Sequence, residues 1–441
     1  MIPLKNYFIA NFILKSRLEI LGNKQGKYLH YQDNFEEITK WQLNEFNRIW
    51  LNACTNNEFY KWWSKSHSLP NSIDNLSQLL EFPALSKKVL QENKEKIFKN
   101  NKKYTTVSTG GSTGEPVEFI TSSLQRDQEY VNTYLGRKRF GIKPLDTTIL
   151  IWGHSHLFGG GLKGQFNELK RNIYDLLLNI RRLNAYDLSL KTVEAYAKNI
   201  IKSNPCCIIG YTSSVYSIAR YILDNNIDIG NKSNLKGIIV TSETVTRNDI
   251  KVIEAAFKVP AIIEYGMAET SVIAYSSKEE EGLEIFWDSF IAQNDAENQL
   301  RITTLYEREF PLINYETSDQ IIPKINFEGS LLAIDSIKGR KRDNIKLQGV
   351  NESDITVSGI LVVHLLKGFK GIYSISYKQL SGNKLEVYVV KDNQIDLEVL
   401  TKSFFKLLLI EQPDVDISCI EIKEIETANK SIAGKTTLKI D

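Results

Sequence analysis

At 441 residues the chain exceeds one ordinary domain, and two or three are expected. A hydrophobic share of 42 % with 24 % charged residues is that of an ordinary soluble globular protein. The net charge of +2 excludes a general field steering the chain to nucleic acid or acidic lipid, and no run of 18 apolar residues spans a membrane.

The chain opens on an apolar run, Met1 to Leu14, broken by Asn11 and followed by Lys15 and Arg17 rather than small residues, so no signal peptide is expected. Residues 1 to about 100 read as mainly helical. Trp41, Phe46, Trp50, Phe59, Trp62 and Trp63 are spread over helix-length segments and read as core. Lys87 to Lys103 carries seven lysines against Glu92 and Glu95, which reads as a solvated helix face rather than a nucleic-acid patch. Next, Thr105-Thr-Val107 and Val117-Glu-Phe-Ile120 flank Ser108, Thr109, Gly110, Gly111, Ser112, Thr113 and Gly114 as strand, loop, strand. Glycines let backbone N–H groups converge on a bulky anion, and hydroxyls add donors without bulk. The segment therefore reads as a phosphate-holding loop. A Walker-type loop is excluded, because Glu115 and Pro116 stand where its lysine would be. A dinucleotide fingerprint is excluded too, since no helix with a following acidic residue is signalled.

From about 105 to 325, apolar strands alternate with amphipathic helices. Residues 147–152, 206–211, 235–241 and 261–265 are the strands; 190–203, 214–225 and 247–257 are helices. Short, almost wholly apolar strands between helices indicate a parallel sheet covered on both faces. Residues 283–287, 299–305 and 330–334 suggest antiparallel strands. After Gly349 comes an α+β module with a hairpin around Ser381-Gly-Asn383, a helix near 397–409 and a strand at 417–425. The expected fold is α/β. A large domain, residues 1–338, combines helix-covered parallel strands with antiparallel ones, and a small mobile α+β domain occupies residues 339–441. Cys54, Cys206, Cys207 and Cys419 show no metal spacing and fit reduced thiols in a cytoplasmic protein.

Four segments follow the loop in order: Glu264-Tyr-Gly-Met-Ala-Glu-Thr270, Phe310-Pro-Leu-Ile-Asn-Tyr-Glu-Thr-Ser-Asp319, Gly339-Arg-Lys-Arg-Asp343 on to Gly349, and Asn429-Lys-Ser-Ile-Ala-Gly-Lys435. With the loop, they resemble the motif set of the adenylate-forming (ANL, acyl-activating) superfamily, nearest to its phenylacetate–CoA ligase-like and CapK-like branch. The resemblance runs from about residue 100 to the end. It implies a ligase that activates a small-molecule carboxylate with ATP and Mg²⁺ as acyl-AMP. The acyl group then passes to CoA as second substrate, or to an amine or sugar acceptor in surface-polysaccharide synthesis. It also implies a homodimer.

Such chemistry needs the triphosphate held, Mg²⁺ bound, the ribose fixed and a cation brought to the carboxylate and α-phosphate. By resemblance, the 108–114 loop wraps the phosphates, Glu269 is the Mg²⁺ ligand, and Tyr265 with Gly266 flanks the adenine. Asp319 accepts the ribose diol, Arg340 adds a planar bidentate contact, Arg342 marks the hinge, and Lys435 is the catalytic cation. At strand ends in the parallel region, Glu243 could approach the purine, while Trp152 and Tyr211 could wall the acyl site. His154 or His156 could contact the carboxylate, the plain reading of both being loop residues. The chain departs from its relatives at Glu115 and Val117 (usually one lysine), Ala268 (Thr or Ser), Ser318 (Gly), Arg342 (Asp or Lys), Asn429 (Pro) and Leu438 (Arg), with Lys439 beside the last. These departures leave two alternatives open: a catalytically degenerate nucleotide-binding relative, and an adenylyl transferase that stops at an AMP-linked product. Retention of Glu269, Asp319, Arg340 and Lys435 favours catalysis.

Overall fold

A computed structural model describes residues 4–31, 34–98, 105–108, 117–153, 161–185, 189–229, 234–278, 280–340, 344–351, 353–367, 369–429 and 439–440. Thr109 to Gly114, His154, His156, Arg342 and Lys435 lie outside them. The chain gathers into two compact units. The first comprises Met1–Ala10, Gly141–Ile263 and Gly339–Asp441, and the second comprises Asn11–Phe140 and Glu264–Lys338.

The N-terminal stretch is helical, as its composition predicts: α1 (Leu4–Tyr31), α2 (Phe35–Asn56), α3 (Glu58–Ser66), α4 (Lys87–Glu92) and α5 (Lys94–Phe98). Asn34 caps α2 by accepting the Glu37 N–H at 3.2 Å. Ile38, Gln42, Phe46, Ile49 and Ala53 recur at helical spacing and are buried. Phe46, Trp50, Phe59 and Trp63 join the core as expected. Trp62 does not; it is 37 % exposed, with the Lys96 Nζ 4.2 Å above its ring. In the basic run Lys87, Lys88 and Lys94 are exposed, as the solvated reading expects, but they do not share one helix, and residues 99–104 lie outside the described residues. The run breaks into two short helices, and Lys87, Lys94 and Lys96 each have partners. A hairpin of β1 (Thr105–Ser108) and β2 (Glu118–Thr121) follows, pairing Ser108 with Glu118, and α6 (Ser123–Arg139) closes the stretch.

The first unit then takes up β3 (Thr148–Trp152), α7 (Gly161–Leu177), β4 (Ile180–Asn184), α8 (Leu190–Ser203), β5 (Cys207–Tyr211), α9 (Thr212–Asp224), β6 (Gly237–Thr241) and α10 (Arg247–Phe257). Strands β4, β3, β5 and β6 lie side by side in that order, all parallel. Strands β5 and β6 are buried along their whole length, which is why they read as unbroken apolar runs. Helix α8 buries Val193, Ala197 and Ile200 and ends at Asn204 in the left-handed conformation (φ 45). Helix α10 starts on a capping box, Thr246 with Asp249.

Strand β7 (Ala261–Met267) leads into the antiparallel strands of the second unit: β8 (Ser271–Ser276), β9 (Leu283–Ile285), β10 (Phe290–Asn294), β11 (Gln299–Thr304), β12 (Tyr315–Phe327) and β13 (Ser330–Arg340). Their lateral order is β8-β9-β13-β12-β11-β10. Two of these strands outrun their motifs: β12 continues eight residues past Asp319, and β13 runs to Arg340 rather than ending at Ile334.

Back in the first unit, β14 (Asn344–Gln348) and β15 (Asp354–Ser358) form a hairpin. Helix α11 (Gly359–Lys367), β16 (Ile372–Leu380), β17 (Lys384–Lys391), α12 (Leu397–Glu411), β18 (Ile420–Glu424) and β19 (Lys439–Ile440) complete the chain. The sheet order is β18-β17-β16-β19. The expected strand at 417–425 begins later, because Asp416 accepts the Ser418 N–H at 2.9 Å and turns 417–419 into a 3₁₀ turn. Residues 345–422 share a hydrophobic core that includes Val387, Phe404 and Leu408. This module touches α9, whose Ser217 Oγ donates to the Tyr373 carbonyl at 3.1 Å.

Candidate active site

In the second unit, the turn from β7 to β8 is shaped by its glycine. A Cβ on Gly266 would lie 2.2 Å from the Ser271 carbonyl oxygen, so no other residue fits that backbone approach. The pairing slips one step there, Ser271 takes φ 59, and the Thr270 N–H reaches the Met267 carbonyl at 3.3 Å. The result presents Glu269 on a tight turn, with its side chain 4 % exposed.

Two groups hold the Glu269 carboxylate. The Tyr315 hydroxyl donates to Oε1 at 3.0 Å, and the Lys87 ammonium sits 3.1 Å from the same oxygen. A buried carboxylate needs such partners, since an unpaired one is strongly disfavoured. Lys87 arrives by backbone pairing. The Leu85 N–H donates to the Asn314 carbonyl at 3.0 Å and the Glu316 N–H to the Leu85 carbonyl at 3.1 Å. Ser86 then caps α4, and Lys87 is that helix's first residue.

Asp319 is aimed by an irregularity in β12. Gln299 pairs with Gln320 and Arg301 with Glu316, so Thr317, Ser318 and Asp319 stand opposite Leu300 alone. The Thr317 Oγ1 donates to the Leu300 carbonyl at 2.8 Å and accepts from the Asp319 N–H at 3.2 Å. Ser318 takes φ 65, a left-handed conformation that favours the glycine relatives carry. Asp319 Oδ2 accepts from the Tyr265 hydroxyl at 2.8 Å. The two strands thus exchange tyrosines: Tyr265 of β7 serves the carboxylate of β12, and Tyr315 of β12 serves the carboxylate after β7.

Glu269 opens on a cavity of about 310 Å³, also lined by Phe119, Thr121, Arg126, Glu129, Ala268 and Arg308. Phe119 and Thr121 belong to β2, so the strand that follows the loop read as phosphate-holding lines the same cavity as the carboxylate read as the metal ligand. Among the described residues no three His, Cys, Asp or Glu side chains group as a metal cage. Magnesium needs none; it typically takes one or two carboxylates and completes its octahedron with phosphate oxygens and water. Glu269, facing the cavity, fits that donor set.

Three further candidates gather in the first unit. The Trp152 and Tyr211 rings meet with centroids 4.4 Å apart, Tyr211 being buried. Glu243 follows Ser242, which takes φ 67, and its Oε2 accepts the Ser213 N–H at 2.7 Å. The carboxylate thereby caps the N-terminus of α9. Arg340 is the last residue of β13. Residues with no motif to announce them are Lys87, Glu129, Tyr306 and Arg308, while Tyr315 lies in the Phe310 to Asp319 segment with no role read for it. Lys87 and Glu129 meet partners far away along the chain, beyond the reach of local periodicity.

No family model matches the chain. Protein CapK of Staphylococcus aureus is 24 % identical to it over 400 residues, 86 % of this chain and 85 % of CapK. Among solved structures, 2-hydroxyisobutyryl-CoA ligase in the postadenylation state matches with a TM-score of 0.66 at 13 % identity, over 91 % of this chain and 89 % of that one. Anthranilate-CoA ligase in complex with anthranoyl-AMP matches with a TM-score of 0.51 at 14 % identity, over 75 % and 65 %. The fold is that of the adenylate-forming CoA ligases, with a large sheet covered by helices and a smaller C-terminal part.

Proposed function

Because the chain has the fold of the adenylate-forming CoA ligases, we propose that it activates a carboxylic acid with MgATP and passes the acyl group on, with CoA as first choice of acceptor. The observation that carries this reading is the pair of buried carboxylates, Glu269 and Asp319, each held by a tyrosine from the other strand, with Glu269 facing a cavity framed by the phosphate-loop stem. A substrate carboxylate oxygen attacks the α-phosphorus, and the bond to pyrophosphate breaks. Asp319 accepts the ribose hydroxyls and Tyr265 flanks the base. Residues 108–114 donate N–H and hydroxyl groups to the phosphates. Glu269 would hold magnesium, which would supply charge compensation for the phosphate oxygens. The loop has no lysine of its own. Lys87, whose side chain is 44 % exposed beside Glu269, supplies a cation at that end of the cavity.

Lys435 is the cation for the carboxylate and α-phosphate, carried by a small domain of residues 339–441 that rotates on a large domain of residues 1–338 at Arg342 between half-reactions. Trp152 and Tyr211 wall the acyl site, and Glu243 approaches the purine. An amine or sugar acceptor in surface-polysaccharide synthesis, a homodimer and a cytoplasmic location belong to the same proposal. Among the described residues no helix is long and apolar enough to cross a membrane.

The test is ATP–pyrophosphate exchange over a broad acid library, with Lys435→Ala alongside. Exchange that depends on one acid class and is largely lost in the variant supports acyl-adenylation. No exchange with any acid, despite MgATP binding, moves the assignment to a degenerate relative or to an adenylyl transferase.

A further inference from the structure

Arg308 lies in the segment between β11 and β12 with its side chain 1 % exposed. Its donors are turned onto the protein. Nε reaches the Phe310 carbonyl at 3.3 Å, Nη1 the Glu129 Oε1 at 3.1 Å and the Tyr306 hydroxyl at 2.6 Å, and Nη2 the Glu269 carbonyl at 2.8 Å. The Tyr306 hydroxyl lies 3.2 Å from Glu129 Oε1 and 3.4 Å from the Thr270 carbonyl. Burial pushes the Tyr306 phenol above its ordinary value, so it remains an O–H donor. The β11–β12 segment, backed by Glu129 of α6, therefore reaches two consecutive carbonyls of the β7–β8 turn, those of Glu269 and Thr270.

We propose that Arg308 is a positioning residue for Glu269. With Tyr306 it clamps the backbone of the β7–β8 turn, while Tyr315 fixes the carboxylate, so that the side chain faces the cavity in one orientation. Glu129 supplies the counter-charge that lets a guanidinium stay buried there. A guanidinium committed to four protein acceptors is not a ligand for phosphate, although it borders the same cavity. The arrangement is an outer partner that fixes a metal-binding carboxylate, and losing such partners typically weakens metal affinity by about 10- to 100-fold. A salt bridge that serves stability alone would leave metal affinity untouched.

This inference rests on the adenylation reading for the identity of the ligand, so its test uses binding rather than turnover. ATP binding is measured by calorimetry across a magnesium titration, for wild type and Arg308→Met. The concentration of Mg²⁺ giving half-maximal ATP binding is expected to rise about tenfold in the variant. Affinity at saturating Mg²⁺ should stay within about twofold, since no nucleotide contact is removed. A variant with a lower melting temperature but an unchanged magnesium requirement overturns the proposal. Should Arg308→Met fail to fold, Tyr306→Phe keeps the ring against Phe290 and removes the hydroxyl. A smaller rise in the magnesium requirement is then expected, and no rise overturns the clamp. Wild type that fails to bind MgATP overturns the adenylation reading and the clamp together. Wild type that binds normally beside an unchanged variant overturns the clamp alone.

Discussion

The two compact units present their chemistry in opposite ways. In the first, parallel strands β3, β5 and β6 end close to ring and backbone groups. Trp152 lies against Tyr211, and the Glu243 carboxylate is spent on a helix N-terminus. In the second, antiparallel strands interrupted by irregular pairing carry two buried carboxylates, each served by a tyrosine of the other strand. The difference follows from topology. Parallel strands need crossover helices, so what stands at their ends is set by loops and helix termini. An antiparallel strand can add residues locally and re-aim a side chain in mid-strand. On the proposed reading, the first unit supplies a wall and the second supplies fixed acceptors.

The contrast breaks most sharply at Glu269. Glu269→Gln keeps the Tyr315 hydrogen bond but removes the charge, and exchange should fall by about 10²–10³-fold, the range for removing one preorganised electrostatic group. A loss within twofold would mean that the carboxylate is only an anchor for Lys87. Next in size is Asp319→Ala. A hydrogen bond to a charged group is worth about 1.5–3 kcal/mol, so the KM for ATP should rise roughly 10- to 100-fold with little change in the KM for the acid. The mirror experiment is Trp152→Ala. Loss of an aromatic contact of about 0.5–1.5 kcal/mol should raise the KM for the acid by up to about tenfold and leave that for ATP alone. If Trp152→Ala instead moves the ATP constant, the division of labour between the units fails.

The two units also differ in how much of them the sequence disclosed. The parallel unit was legible apart from α7 and the less buried β4, since β5 and β6 are buried on both faces and stand out as short apolar runs, and α8 and α10 carry clear caps. The antiparallel unit was legible at its motifs but not in its wiring. Glu269, Tyr265 and Asp319 lie in readable segments, yet the tyrosine exchange joins positions 54 and 46 residues apart. Lys87 looked like one more solvated lysine because only the pairing of Leu85 beside Tyr315 brings it to Glu269. The extra length of β12 was hidden by Pro323, which reads as a strand breaker. Glycine had a local meaning at Gly266, where the Ser271 carbonyl leaves no room for a side chain.

One feature crosses the divide. In both units a serine in the left-handed conformation stands directly before the acidic residue, Ser242 (φ 67) before Glu243 and Ser318 (φ 65) before Asp319. That conformation costs a side-chain-bearing residue about 1–2 kcal/mol. Glycine removes the strain but adds about 0.4–1 kcal/mol of unfolded-state freedom, so each Ser→Gly change should be neutral or stabilising by up to about 1.6 kcal/mol in urea unfolding. Neither functional readout should move. Asp319 is held independently by Thr317 and Tyr265, so Ser318→Gly should leave the ATP KM unchanged. Glu243 is held by the Ser213 N–H, so Ser242→Gly should leave it unchanged as well. A rise in the ATP constant with Ser318→Gly alone would mean that the serine stiffens the irregular stretch of β12. Stiffness of the backbone, and not only the tyrosine exchange, would then distinguish the second unit from the first.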